Sequence, residues 1–175
     1  TKVAEDPNRD SDELTYNYSW YANGVDRGIA TTSVPAVLTK KGELWLVRVT
    51  ANDGSVDGLE GTAQVTVANS PPVCPQAVIL PSSGGTQTEF ECSCADWSDA
   101  DDGDEPQDTC VFRADGTVLE SQDCKLSAAQ TQKDMTLVCE LTPGDGETTG
   151  LMVESDEITV QNTAPSNPSE VVLDP

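Results

Sequence analysis

The side chains of this chain that could do chemistry are its cysteines and its carboxylates. Six cysteines, Cys74, Cys92, Cys94, Cys110, Cys124 and Cys139, are confined to one stretch, and histidine is absent. Without an imidazole, Ser-His and Cys-His nucleophile systems are excluded. An even number of cysteines crowded into one small acidic domain reads as a disulfide framework formed in an oxidising compartment. A thiolate metal site is the rival, but Cys92-x-Cys94 is the only close pair and no second pair faces it at zinc-finger spacing.

The carboxylates suggest a hard cation. Asp6, Asn8, Asp10 and Asp12 set oxygen ligands at every second residue, and Asp99, Asp101, Asp102 and Asp104 crowd a second loop. Calcium takes about six to eight oxygens and needs neither imidazole nor thiolate. The spacing is not that of an EF-hand, because the glycine and the closing glutamate fall elsewhere. The same residues also suit two plainer roles, as solvated charge and as caps of the loop backbone. Calcium is the one cofactor these loops suggest, with plain solvated charge as the competing reading. Paired carboxylates could in principle hydrolyse glycosides, but these lie in loops without apolar surroundings to raise one pKa. No glycine-rich phosphate loop and no basic-aromatic surface is present. The expectation is a protein that is not an enzyme.

Lys and Arg total 9 against 31 Asp and Glu, a formal charge of −22. Such a surface repels nucleic acid and anionic membranes and attracts divalent cations. No apolar run reaches membrane-spanning length and no signal peptide is evident, so the chain reads as mature or as a piece of something longer.

The elements that carry these residues occur twice. Asp10–Gly24 (DSDELTYNYSWYANG) has a second copy in Asp102–Gly116 (DGDEPQDTCVFRADG), at an offset of 116 − 24 = 92. The offset holds to Asp53-Gly54 and Asp145-Gly146, and with one inserted residue Val65–Asn69 matches Ile158–Asn162. In each copy an acidic loop enters a strand of alternating large apolar residues that ends in Asn-Gly or Asp-Gly, a hairpin signal. Tyr16, Tyr18 and Trp20 share one face of the first such strand. Further strands are expected at Thr31–Leu38, Glu43–Ala51 and Ala63–Ala68, then at Gln76–Leu80, Thr88–Cys94, Cys110–Phe112, Met135–Leu141 and Ile158–Val160. No helical period is sustained, and about seven short strands in roughly ninety residues is the content of a Greek-key sandwich. The fold class expected is all-β, tandem Ig-like Greek-key β-sandwiches. Asn69-Ser-Pro-Pro72 and Asn162-Thr-Ala-Pro165 read as stiff linkers. The domains expected are an Ig-like repeat over 1–69 lacking its first strands, a complete disulfide-rich repeat over 70–163, and a linker with a following strand over 164–175.

The acidic loop, the Tyr16–Gly24 strand, the close Val49-Thr-Ala-Asn-Asp-Gly54 and the Asn-x-x-Pro linker resemble the Ig-like, PKD- or cadherin-like tandem repeats of large secreted bacterial surface proteins of the myxobacterial type. The resemblance covers nearly the whole chain. It implies a spacer, stalk or accessory module at the cell surface rather than a catalyst. Two departures stand out: the first unit has no cysteine, and its acidic loop lacks the glycine found at Gly103.

A sandwich of this kind can pin its sheets through a disulfide between its second and its penultimate long strand, the strands that hold Cys92 and Cys139. Cys74 and Cys94 flank the expected turn at Gly84 symmetrically, and Cys110 and Cys124 remain. The rival connectivity joins Cys94 to Cys110 and Cys74 to Cys124. Trp20 and Phe112 are expected in the core. Tyr21, on the outward register, is the one strand aromatic available as a sugar platform.

In the first unit Thr1 aligns with Ser93, so a first strand and most of a second have no counterpart. Pro168-Ser-Glu-Val-Val-Leu173 resembles Pro75-Gln-Ala-Val-Ile-Leu80. Glu170, Val171, Val172 and Leu173 therefore read either as a strand within a longer array or as one donated to the first unit of another copy. The function expected is a structural repeat module of an extended extracellular protein, stalk or fibre, with neighbouring repeats or copies of itself as partners. The alternative is calcium-dependent adhesion or a carbohydrate-binding accessory to a secreted enzyme, with a cell-surface or glycan ligand.

Overall fold

The computed structural model describes residues 14–166, and the chain divides into two compact units, Thr1–Ser70 and Pro71–Pro175. It is all-β in antiparallel sheets, as the alternating pattern requires.

In the first unit, β1 (Thr15–Ala22), β2 (Val25–Asp26), β3 (Leu44–Asn52) and β4 (Gly61–Thr66) form one sheet in the order β2-β1-β3-β4. Asn23 and Gly24 turn β1 into β2 with φ of 50° and 81°, values that asparagine and glycine tolerate best. The register sets Trp20 opposite Val47 and Ala22 opposite Trp45, and Trp45 in turn opposite Val65. Because side chains alternate across a strand, Tyr16, Tyr18, Trp20, Trp45, Val47, Val49 and Val65 share one face. Asn17, Ser19, Arg48, Thr62 and Gln64 share the other.

The strand expected at Thr31–Leu38 does not form. Pro35 supplies no N–H for a ladder, and Ala36–Leu38 closes instead into one 3-10 turn, with Leu38 N donating to Pro35 O at 3.0 Å. Val37 points into solvent, 88% exposed.

The second unit holds β5 (Gln76–Leu80), β6 (Phe90–Ala95), β7 (Thr109–Ala114), β8 (Thr117–Leu119), β9 (Lys125–Leu126), β10 (Thr136–Thr142), β11 (Val153–Glu154) and β12 (Ile158–Thr159). One sheet runs β11-β10-β7-β8 with β12 also on β10, and the other runs β5-β6-β9. Asp115 and Gly116 repeat the first unit's turn, with φ of 48° and 81°. Between the sheets lies a closed core. Ala77, Phe90, Phe112, Leu126, Leu137, Cys139, Leu141 and Val160 have no exposed surface. This is an Ig-like sandwich, with the sheets packed face to face.

Candidate functional site

Three features of the described residues could carry function. The first is the set of cross-links. Cys74 bonds to Cys94, Cys92 to Cys139 and Cys110 to Cys124, leaving no free thiol. The first pair sits where a ladder brings two strands within reach, and the other two link strands or turns of different sheets. The two strands of β5–β6 approach at the Cys74–Cys94 end, with Cα atoms 5.8 Å apart. Cys92 on β6 crosses the core to Cys139 on β10, with Cα atoms 6.1 Å apart. Cys110 meets Cys124 in the turn that precedes β9, with Cα atoms 5.1 Å apart. The Cys94–Cys110 and Cys74–Cys124 alternative is not the arrangement found.

The second is a carboxylate cluster. Asp99, Asp104 and Asp145 each bring one oxygen within 4.8 Å of the others. Asp101 and Asp102, expected on the same loop, are not in this group. The Asp101 backbone N–H donates to Asp99 Oδ1 at 2.8 Å, the loop-capping role carboxylates play in turns. Asp145 was not singled out by sequence. It closes β10, is 7% exposed, and its Oδ1 accepts from the N–H groups of Glu147 and Thr148 at 2.7 and 2.6 Å. Its counterpart Asp53 caps the same turn in the first unit, accepting from Ser55 and Val56 at 2.8 Å each. Those bonds, from Val56 first and then Ser55, hold the Asp53 carboxyl below the usual aspartate range. The repeated Asp-Gly pair was the available signal for Asp145. Asp99 Oδ2 is buried with no hydrogen-bond partner, as is the indole nitrogen of Trp97 two residues earlier in the chain. Asp6, Asp10 and Asp12, and the Glu170, Val171, Val172 and Leu173 segment, lie outside the described residues.

The third is the apolar face of the first unit. Trp20 is half-buried rather than in a closed core. Its ring meets Trp45 edge-on at 6.3 Å between centroids, and its Nε1 donates to Thr31 O at 2.9 Å. Trp45 is 2% exposed, with the Arg27 guanidinium 5.8 Å from its ring centroid and its Nε1 donating to Glu43 at 2.9 Å. On the opposite face Tyr21 lies under Arg48, 5.1 Å from ring centroid to guanidinium carbon, so one side of its ring is covered.

The Trp45 indole N–H, and then the Lys40 backbone N–H, hold the Glu43 carboxyl below its ordinary value of 4.5. A depressed carboxylate contributes stability that is present above the unfolded value and lost as pH falls through the folded one. Below about pH 4.5 this corner of the first unit should therefore loosen, read as a shift in Trp45 fluorescence. Glu43→Gln, which keeps an acceptor for the indole, should abolish that transition. An unchanged transition in the variant would assign it to other carboxylates.

No protein-family model matches this chain, and neither does any curated protein. Among solved structures it is similar to a crystal structure of the FN1–FN3 domains of chicken CNTN1, with 12% sequence identity and a TM-score of 0.34. That likeness covers 86% of this chain and 57% of the other's length.

Proposed function

We propose that the chain is a structural repeat module of an extended extracellular surface protein, a stalk or fibre, whose partners are neighbouring repeats or further copies of itself. The observation that supports this most directly is that the same hairpin and sheet are built twice at a fixed period. The register Trp20–Val47 recurs as Phe112–Cys139. Repeated units of this kind make length, not chemistry. Three disulfides in one unit suit an oxidising exterior. The test is surface labelling of intact cells that make the protein, with an antibody against the folded chain, before and after protease shaving. Labelling that disappears on shaving is expected. Labelling only after permeabilisation would overturn the reading.

A second reading, calcium-dependent adhesion, is favoured by the convergence of Asp99, Asp104 and Asp145 around a buried, unpartnered carboxylate oxygen. Three carboxylates with nearby carbonyls and waters would suit calcium. The first unit has Pro7 where the second has Asp99, so the proposed site belongs to the second unit alone. Calcium at a hundred times its Kd should stabilise that unit by about 2.7 kcal/mol, and Trp97 fluorescence should report it. Asp104→Ala should abolish the effect. If sodium chloride at matched ionic strength raises the melting temperature equally, the gain is plain charge screening.

A further inference from the structure

The tight turn at Asp123 and Cys124 in the second unit is built from a residue unsuited to it. Gln122 N donates to Lys125 O at 3.1 Å and Lys125 N to Gln122 O at 2.8 Å, which leaves Asp123 and Cys124 as the central pair. Their φ values are 50° and 59°. A turn that needs positive φ at both centres favours Asn or Asp first and glycine second, as at Asn23-Gly24 and Asp115-Gly116. A side chain at such a φ crowds the backbone. Of the six cysteines, Cys124 alone is held there. Thr31 and Thr32, the counterparts of Asp123 and Cys124 at the repeat offset, carry no bridge and do not take positive φ.

What this turn holds in place is β9. Cys124 O accepts from Cys92 N at 2.8 Å, and the two residues that follow pair with β6, Phe90 opposite Leu126 and Glu91 opposite Lys125. Leu126 has no exposed surface, so this short strand seals one side of the core. A ladder of two residue pairs has little hold of its own. The Cys110–Cys124 bond ties it to β7 in the other sheet. Access separates this bond from the other two. Cys92 and Cys139 are 3% and 0% exposed and Cys74 is 5% exposed, whereas Cys110 and Cys124 are both only partly buried.

We propose that Cys110–Cys124 is a redox latch, a bond that a dithiol reductant opens in the folded unit and whose opening releases β9 from β6. One thiolate of the dithiol attacks a sulfur of the bond, and the other cysteine leaves as a thiolate and takes up a proton. The second thiol of the reductant then displaces the mixed disulfide. The bridge gains two electrons and two protons, and the dithiol, oxidised by the same amount, closes into its own disulfide. With the bond gone, nothing keeps Cys124 in the left-handed region, and the turn relaxes. Leu126 leaves the core and β6 becomes an edge strand with Phe90 beside it, a template for a further strand. The Cys92–Cys139 bond still joins the sheets, so the rest of the sandwich stays folded. Reoxidation closes the latch again. None of this depends on the repeat-module reading.

Graded reduction of the full chain with dithiothreitol, followed by thiol alkylation and peptide mass mapping, tests it. Every cysteine starts paired, so each alkylated position reports an opened bond. Cys110 and Cys124 should be labelled at least about tenfold faster than Cys92 and Cys139, whose exposure requires the unit to unfold. In the singly reduced chain, amide exchange should rise at residues 122–126 and stay slow across β10, and removing the dithiol under mild oxidation should restore protection. A pair of variants isolates the turn. Cys110→Ala with Cys124→Ala should open β9 without any reductant, whereas Cys110→Ala with Cys124→Gly, which suits the positive φ, should keep it closed. Exchange at Lys125 and Leu126 should be about fivefold faster in the first than in the second. Both variants lack the bond, so its loop entropy cancels. Labelling of Cys74–Cys94 or Cys92–Cys139 as early as Cys110–Cys124 would overturn the proposal. So would loss of all three bonds in one step, unchanged exchange at residues 122–126 after reduction, or equal exchange in the two variants.

Discussion

Replacing Cys92 and Cys139 together by alanine should cost the second unit about 4 kcal/mol, the largest effect of any change to a cross-link in this chain. The bridge closes 47 residues, and the entropy it removes from the unfolded ensemble grows with the logarithm of that number. Both sulfurs also lie in the closed core, Cys92 3% and Cys139 0% exposed, so their removal leaves a cavity as well. For a unit of this size the melting temperature should fall on the order of 15–30 °C. The corresponding double variants of Cys74–Cys94 and Cys110–Cys124, which close 20 and 14 residues, should each cost about 3 kcal/mol in the same account. Urea titrations followed at Trp97 measure all three. A Cys110/Cys124 variant less stable than the Cys92/Cys139 variant would show that loop length does not set the order.

Phe112→Ala should cost about 3–5 kcal/mol, the usual result of emptying a fully enclosed aromatic site. Phe112 has no exposed surface and belongs to the closed core of the second unit. Trp20→Ala removes a larger side chain from the equivalent position and should nonetheless cost less, about 1–2 kcal/mol. It forfeits the edge contact with Trp45 and the hydrogen bond to Thr31 O, each worth about 1 kcal/mol, but little enclosed volume. Separate unfolding curves for the two units, read by amide exchange, make the comparison. If Trp20→Ala is as costly as Phe112→Ala, the first unit's face is closed after all.

The long strands were legible because each carries enough alternating residues to establish a period: β1, β3, β7 and β10 are six to nine residues long. Their turns were legible because Asn23-Gly24 and Asp115-Gly116 are residue types that tolerate positive φ. β2, β8, β9 and β11 were not, since two or three residues cannot display a period. The 3-10 turn at Ala36–Leu38 was misread as strand for a related reason: Val34, Val37 and Leu38 look strand-like in isolation, and only Pro35 argued otherwise. Asp145 escaped because it reaches Asp99 from a different loop, and proximity along the chain showed only the Asp99–Asp104 half of the cluster. Alternation announced that Tyr16, Tyr18 and Trp20 share an apolar face. It carries no information on whether another sheet lies over that face, which depends on strands distant in sequence.

The disulfide pattern also decides how far the second unit can be stretched. Under tension applied at the two ends, the covalent path runs from Cys74 directly to Cys94, back to Cys92 and across to Cys139. Residues 75–91 and 95–138 lie off that path and never bear load while the bonds hold. At about 3.4 Å per extended residue, roughly 200 Å of contour length is withheld. The first unit has no such shortcut and can pay out all of its chain once its sheet shears. A tether built from such units would lengthen in unequal steps, and the step from the second unit would grow severalfold when its surroundings turn reducing.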